Sequence, residues 1–253
     1  MVAGSDAMNE EPDFTLDGQR IPFQDGQSVM EAALAAGVYI PHLCFNPDFA
    51  PHGSCRVCLV KVNGRMQASC TTPAAAGLTV QSETEELREI RRGILQMLFV
   101  EGNHVCPACE KSGACQLQAV AYYVGMLAPH FSHFYPRRPV DASHPEAVID
   151  FNRCILCELC VRASRDVDGK SIFAVRGRGI EAHLVVNTPS GKLGATHFSM
   201  RDKAAQVCPT GAILTKHQGY DTPIGQRLYD RKPISVVGDV AQLPESRGGR
   251  RHD

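Results

Sequence analysis

The alternation of apolar and polar positions opens the chain with two short strands. Residues 14–27, FTLDGQRIPFQDGQ, place apolar-polar runs on either side of an Asp17-Gly18 turn, a pairing that favours a tight hairpin. Ser28 and Glu31 form an S-x-x-E capping box ahead of MEAALAAG, and Gly37 supplies a stop. This predicts a helix of about ten residues with its Ala/Leu face on the hairpin. The run CLVKV, an Asn63-Gly64 turn and RMQASC then predict a second strand pair. Strand, strand, helix, loop and strand pair is a β-grasp order.

From Glu83 to Val100 the period changes to that of a helix, with Leu87, Ile90, Ile94, Leu95 and Leu98 on one stripe and charges elsewhere. A second helix is expected from about Cys115 through QLQAVAYYVGM. Residues 128–147 are rich in Pro and His without periodicity and read as a linker. Two β-rich runs follow, SIFAVRG and EAHLVVN, then a short helix RDKAAQV and the sequence CPTGAI. The stretch from Tyr220 to SRGGRRHD has too few apolar residues to fold alone. The expected organisation is 12–82, 83–147, 148–219 and an extended tail over 220–253.

Composition narrows the function. The 43% hydrophobic share is that of a globular protein, and 26 basic against 27 acidic residues give no field for nucleic acid or an anionic membrane. The start, MVAGSDAMNEEPDF, has no basic region followed by an apolar one. The apolar run Ala119–Ala128 is about half of what spans a bilayer. A cytoplasmic chain without a transmembrane segment is expected. The eleven cysteines are an odd number, and several stand as C-x-x-C, which favours metal or cluster ligation over disulfides.

Spacing sorts the cysteines into three groups. Cys44, Cys55, Cys58 and Cys70 form C-x10-C-x2-C-x11-C on the loop and strands of the β-grasp unit. Plant-type [2Fe-2S] ferredoxins share the central pair but have a shorter first gap. Cys154, Cys157 and Cys160 in CILCELC, with Cys208 in CPTGA, have the spacing that wraps one cubane and closes it with a remote Cys-Pro. Ser164 stands where a two-cluster ferredoxin would carry a further cysteine, so one [4Fe-4S] cluster is expected there. This leaves Cys106, Cys109 and Cys115 in GNHVCPACEKSGACQLQ, three thiols with one vacancy that His104 can fill. Water or another side chain on the fourth iron is the alternative. Asn103, on what reads as a flexible Gly-Asn loop, is expected to matter little.

The long-gap first group resembles the [2Fe-2S] domain of the complex I large iron-sulfur subunit and of related hydrogenases. The segment with Cys106, Cys109 and Cys115 resembles the H-x3-C-x2-C-x5-C motif that complex I and iron-only hydrogenases use to hold a [4Fe-4S] cluster by one histidine and three cysteines. It departs from that motif in having Gly102 at the usual histidine position. The H-x-C form is similar to the diaphorase small subunit (Hox-type U subunit) of cytoplasmic NAD-reducing nickel-iron hydrogenases, and the resemblance covers residues 12 to about 218.

That resemblance implies an α+β chain: an N-terminal β-grasp [2Fe-2S] ferredoxin domain, a helical [4Fe-4S] segment and a C-terminal ferredoxin-like [4Fe-4S] domain. Its cofactors would be one [2Fe-2S] and two [4Fe-4S] clusters. Its partners would be a flavin/NAD(H)-binding diaphorase subunit and the nickel-iron hydrogenase small and large subunits. The chain would be a non-catalytic electron-transfer subunit, with no catalytic residue and no cofactor beyond the clusters. The nearest rival is the equivalent subunit of a complex I-like NADH dehydrogenase or NAD-dependent formate dehydrogenase. The end of the sequence at Asp253 is expected to set it apart from the full complex I subunit. A zinc-stapled structural adaptor is a rival of another class. GRGIEA (residues 177–182) matches a dinucleotide fingerprint but leads into a strand pattern, so it reads as a loop. Arg137-Arg138 and Arg250-Arg251 read as solvated surface.

Overall fold

The structure is a computed structural model that describes residues 11–239. The basic end SRGGRRHD, with Arg250-Arg251, and the first ten residues lie outside the described part.

The first hairpin forms as the pattern predicts, β1 (Asp13–Leu16) against β2 (Gln19–Pro22), turning through Asp17 and Gly18 with φ of 50° and 85°. Helix α1 (Val29–Ala35) starts at a complete capping box: the Glu31 N–H donates to Ser28 Oγ at 3.2 Å, and the Ser28 N–H donates to Glu31 Oε2 at 2.7 Å. It runs for seven residues, shorter than expected, and is closed by Ala36 before the expected stop at Gly37, which takes φ 72°. Strands β3 (Leu59–Val62) and β4 (Arg65–Ala68) pair around Asn63-Gly64.

A strand absent from the sequence reading, β5 (Thr79–Gln81), completes the sheet in the order β2-β1-β5-β3-β4, parallel to β1 and antiparallel to β3. Three residues are too short a stretch for alternation to show. The sheet buries Phe14, Leu16, Ile21, Val60 and Val80 against Val29, Met30 and Ala33 of the helix.

Helix α2 (Glu85–Glu101) is capped by Thr84, whose Oγ1 accepts from the Leu87 N–H at 3.2 Å. Its buried stripe is not the one expected. Leu87 and Leu95 are buried, Ile90, Ile94 and Leu98 are half-buried, and Arg91 lies in the core between Leu87 and Leu95. Helix α3 (Gln116–Tyr123) follows directly on Cys115 and packs against α2.

The Pro/His-rich stretch is not a linker to its end. Val140–Asp141 form β6, which pairs with β7 (Ala147–Asp150), and β7 pairs with β10 (Ile213–Thr215). Between β7 and β10 the chain makes α4 (Leu159–Arg162), extended by one π turn, then the hairpin of β8 (Phe173–Arg176) and β9 (His183–Val186), and α5 (Lys203–Gln206). These elements enclose a core of Ile149, Phe173, Leu193, Phe198 and Val207.

The segment after Tyr220 also differs from the expectation of an extended tail. As far as Asp239 it returns to the body and forms α6 (Ile234–Val237), which packs on α3. Ile234 is fully buried in the core that holds Leu95 and Val120. One apolar anchor and a few polar ones on a preformed surface replace the core the segment lacks. The fingerprint-like GRGIEA is closed off by its own chain, since a Cβ on Gly177 would collide with the Glu181 carbonyl. Among the described residues no helix is long and apolar enough to cross a membrane.

Candidate iron-sulfur centres

Each group of cysteines sorted by spacing is brought together in space. Cys154, Cys157, Cys160 and Cys208 all line one small cavity, whose other walls include Ile155, Leu184 and Ile213. Backbone geometry produces this: Leu156 and Glu158 take φ of 52° and 58°, which coil the C-x2-C-x2-C loop around the cavity before α4 begins. Burial pushes the Cys154 thiol up to about 11 and those of Cys157 and Cys160 well above the ordinary thiol range, so a thiolate here needs a cation beside it. Ser164 is turned away from this task. It is fully buried, and its Oγ accepts from the Ile172 N–H at 2.9 Å.

A second small cavity is lined by His104, Cys106, Cys109 and Cys115, with Phe99 and Arg153 among its other walls. The Nε2 of His104 is buried and has no hydrogen-bond partner in the protein. An orphaned ring nitrogen is costly unless something binds it. Burial first, and the nearby Arg153 second, lower the His104 pKa to about 4, so the ring is neutral and has a lone pair to offer. Burial also raises the Cys115 thiol to about 12.

The loop is held rather than flexible. The Asn103 N–H donates to the Asn152 carbonyl at 2.9 Å, and its Nδ2 donates to the Pro136 carbonyl at 2.9 Å and to Asn152 Oδ1 at 3.1 Å. The Phe99 ring, 5.4 Å from the imidazole centroid, backs it.

The first group forms two pairs. Cys58 Sγ lies 3.4 Å from Cys70 Sγ, and the Cys55 N–H donates to Cys44 Sγ at 3.5 Å. A hydrogen bond within each pair pulls one thiol down, Cys44 to about 5 by Cys55 and Cys58 to about 6 by Cys70, while it raises the partner. Two pairs of thiols suit two metal atoms. Among the described residues no three His, Cys, Asp or Glu side chains meet at a point suited to a single ion. Donors that surround a space suit a multi-atom cluster better.

The three sites share walls. Cys44 belongs to the same packed core as Cys157, Cys160 and Cys208, and Cys55 packs against both that core and the one that contains Cys106 and Cys115. The Cys115 thiol reaches the Pro209 carbonyl at 3.6 Å, one residue beyond Cys208. A Cβ on Gly211 would stand 3.0 Å from Cys109 Sγ, so this glycine lets the cavity of Cys109 and the turn that bears Cys208 approach closely.

Sequence reasoning missed a polar group near these sites that ties the loop before Cys44 to the segment that follows α6. His42 is buried beside Cys44. Its Nδ1 bonds the Ile40 carbonyl at 2.7 Å and its Nε2 bonds Asp239, whose other oxygen accepts from Gln116 Nε2 at 2.8 Å. Burial alone would favour the neutral ring, but the Asp239 carboxylate outweighs it and raises the pKa to about 9. No local signal marks a pair separated by so much sequence.

Three family models match the chain. Residues 10–85 match a 2Fe-2S iron-sulfur cluster binding domain, 91–130 the NADH-ubiquinone oxidoreductase-G iron-sulfur binding region, and 145–214 the ferredoxin-like domain of NADH-quinone oxidoreductase subunit 3. The chain is 41% identical over 222 residues, 87% of its length and 94% of the relative's, to the gamma subunit of the NAD-reducing hydrogenase HoxS of Cupriavidus necator. It is 31% identical over 219 residues to the mitochondrial 78 kDa subunit of NADH-ubiquinone oxidoreductase of Candida albicans, spanning 30% of that protein. A chain in a crystal structure of NAD+-reducing [NiFe]-hydrogenase in the H2-reduced state superposes with a TM-score of 0.88 at 54% identity, over 92% of this chain and 99% of that one.

Proposed function

The chain belongs to the family of the gamma subunit of NAD-reducing hydrogenase, and on that footing we propose that it is the iron-sulfur electron-transfer subunit of such a complex. It would relay electrons between a flavin subunit that handles NAD(H) and the nickel-iron small and large subunits, in the cytoplasm.

The ligand assignment is part of the proposal: Cys44, Cys55, Cys58 and Cys70 for one [2Fe-2S] cluster, His104 with Cys106, Cys109 and Cys115 for one [4Fe-4S] cluster, and Cys154, Cys157, Cys160 and Cys208 for another. When bound, these clusters supply one-electron redox centres whose potentials follow from net charge, hydrogen bonding and exposure. The protein's own part is to fix the donors, keep water away from them and hold the sites against one another. The observation that carries the reading is the shared walls: Cys55 packs against both of the cores that the other two sites adjoin, and Cys115 and Cys109 lie against the CPTG turn that bears Cys208. The higher identity to the hydrogenase subunit favours it over the complex I-like reading, and three iron-sulfur family matches favour iron over zinc.

Anaerobic purification of the chain should give a brown protein with about ten iron and ten sulfide per chain. Expression with its partners should bring nickel through the same column. A colourless protein holding zinc would overturn the reading, and a value near six would remove one of the four-iron assignments.

A further inference from the structure

Two arginines bury their guanidinium groups in the walls of the [2Fe-2S] loop, and both come from outside the sheet unit that carries its four cysteines. Arg91, on α2, is 1% exposed. Its Nε donates to the Val57 carbonyl at 3.1 Å and its Nη2 to the Leu59 carbonyl at 2.7 Å, the residues on either side of Cys58. Its Nη1 donates to the Ser82 carbonyl at 2.9 Å, and Nη2 also reaches Ser82 Oγ at 2.9 Å. Arg162, on α4 two residues after Cys160, is 5% exposed. Its Nη2 donates to the carbonyl of Cys44 itself at 2.5 Å and its Nη1 to that of Ala50 at 2.8 Å, while the guanidinium lies 4.9 Å over the Phe49 ring.

What these cations lack among the described residues is a buried anion. Arg91 pairs only with the exposed Glu83, at 3.8 Å, and feels Asp17 without an ion pair, while Asp166, on the surface, interacts with Arg162 without forming an ion pair and the Arg162 Nε is buried without a partner. Carbonyl oxygens satisfy N–H groups but carry no net charge. A buried guanidinium without a counter-charge costs several kcal/mol. Two of them on one loop, hydrogen-bonded at Cys44 and on both sides of Cys58, imply a negative charge inside that loop.

We propose that Arg91 and Arg162 are positioning residues that hold the Cys44 and Cys58 segments in place and compensate the negative charge of the [2Fe-2S] site, thereby raising its reduction potential. This rests on the assignment of Cys44, Cys55, Cys58 and Cys70 as its ligands. The step concerned is a one-electron reduction, with the electron supplied by a neighbouring four-iron site. It adds one negative charge, and two fixed cations offset that charge without proton uptake. The arginines also come from the two neighbouring units, Arg91 from the helix that leads to His104 and Arg162 from the helix that carries Cys160. The loop is therefore clamped from both sides along which electrons would pass.

The test is a redox titration of the full cluster-loaded chain, following the [2Fe-2S] paramagnetic signal and the iron content in Arg91→Gln, Arg162→Gln, Arg91→Lys and Arg162→Lys. Glutamine removes the charge, and lysine keeps it without the planar fork. Each glutamine variant should lower the reduction equilibrium about tenfold or more, about 59 mV for a one-electron couple, while the lysine variants stay near the wild-type potential. If a glutamine variant fails to load, a wild-type potential in the lysine variant at that position supports the proposal and a fallen one overturns it. Glutamine variants at the wild-type potential, or lysine variants that fall as far as glutamine, overturn it as well. A wild-type chain that holds both four-iron signals but no [2Fe-2S] signal would instead sink the ligand assignment, and the proposal with it.

Discussion

The imidazole of His104 fills the space that a side chain on Gly102 would need: a Cβ at residue 102 would stand 2.6 Å from His104 Nε2 and 2.7 Å from the Asn152 carbonyl oxygen. Gly102 is extended, with φ −116° and ψ 176°, a conformation any residue adopts, so close approach is what requires glycine there. The departure from the family spacing and the histidine two residues on are thus one arrangement, in which the donor reaches the cavity because position 102 has no side chain.

Gly102→Ala should therefore displace the imidazole and weaken the histidine-bearing site although it leaves every proposed ligand in the chain. His104→Ala should give a cubane prone to losing one iron as a three-iron species. His104→Cys should restore four-iron content at a lower potential, because a thiolate adds negative charge where a neutral ring stood. Paramagnetic resonance and a redox titration read all three. An unchanged four-iron spectrum and potential in His104→Ala would make the histidine a bystander.

Asn103, which the sequence marks as a flexible neighbour, pins this loop through its backbone and its amide. Asn103→Ala should cost about 1–2 kcal/mol of local stability. It should also speed iron release from the histidine-bearing site in air while the [2Fe-2S] signal persists. Release at the wild-type rate would show that the loop is held by other means.

The sequence alone suggests that deleting the chain from Tyr220 onward affects only assembly. With Ile234 buried, Arg227 Nη1 bonded to Ser112 Oγ at 3.2 Å and the Tyr229 N–H bonded to the Gly113 carbonyl at 2.9 Å, the deletion should instead uncover the Cys109–Cys115 loop and lower iron content. Asp239→Asn removes the carboxylate that keeps the buried His42 charged, so the ring becomes neutral and only a weaker, uncharged contact remains; this should cost about 1–2 kcal/mol, measured by denaturant unfolding near neutral pH. A truncated chain with full iron and unchanged unfolding would refute this anchoring role.

Ser164→Cys recreates the spacing of a two-cluster ferredoxin, yet the side chain faces the Ile172 N–H in a closed core. The variant should hold the same iron as the wild type and lose about 1 kcal/mol with the hydrogen bond. Four additional irons per chain would show that the site can be completed, contrary to its packing.

The local rules were legible because they act over short separations. The Asp17-Gly18 and Asn63-Gly64 turns, the Ser28–Glu31 capping box and the C-x-x-C spacings each place two groups a few residues apart, where backbone geometry leaves little freedom. The C-x-x-C cores of the cysteine groups are of this kind, and so is the nearness of His104 to Cys106, whereas Cys208 reaches the cavity of Cys154, Cys157 and Cys160 only through the fold. The sequence did not reveal what depends on distant partners. Strand β5 is too short to alternate and exists because β1 and β3 flank it. Arg91 sits on an apolar stripe because carbonyls of another segment receive its N–H groups. Only the tertiary structure could bring Asp239 to His42, Arg162 to the Cys44 carbonyl and Cys55 against two separate cores. Such contacts are selected by the packing of whole units, and neither residue of a pair carries a mark of the other.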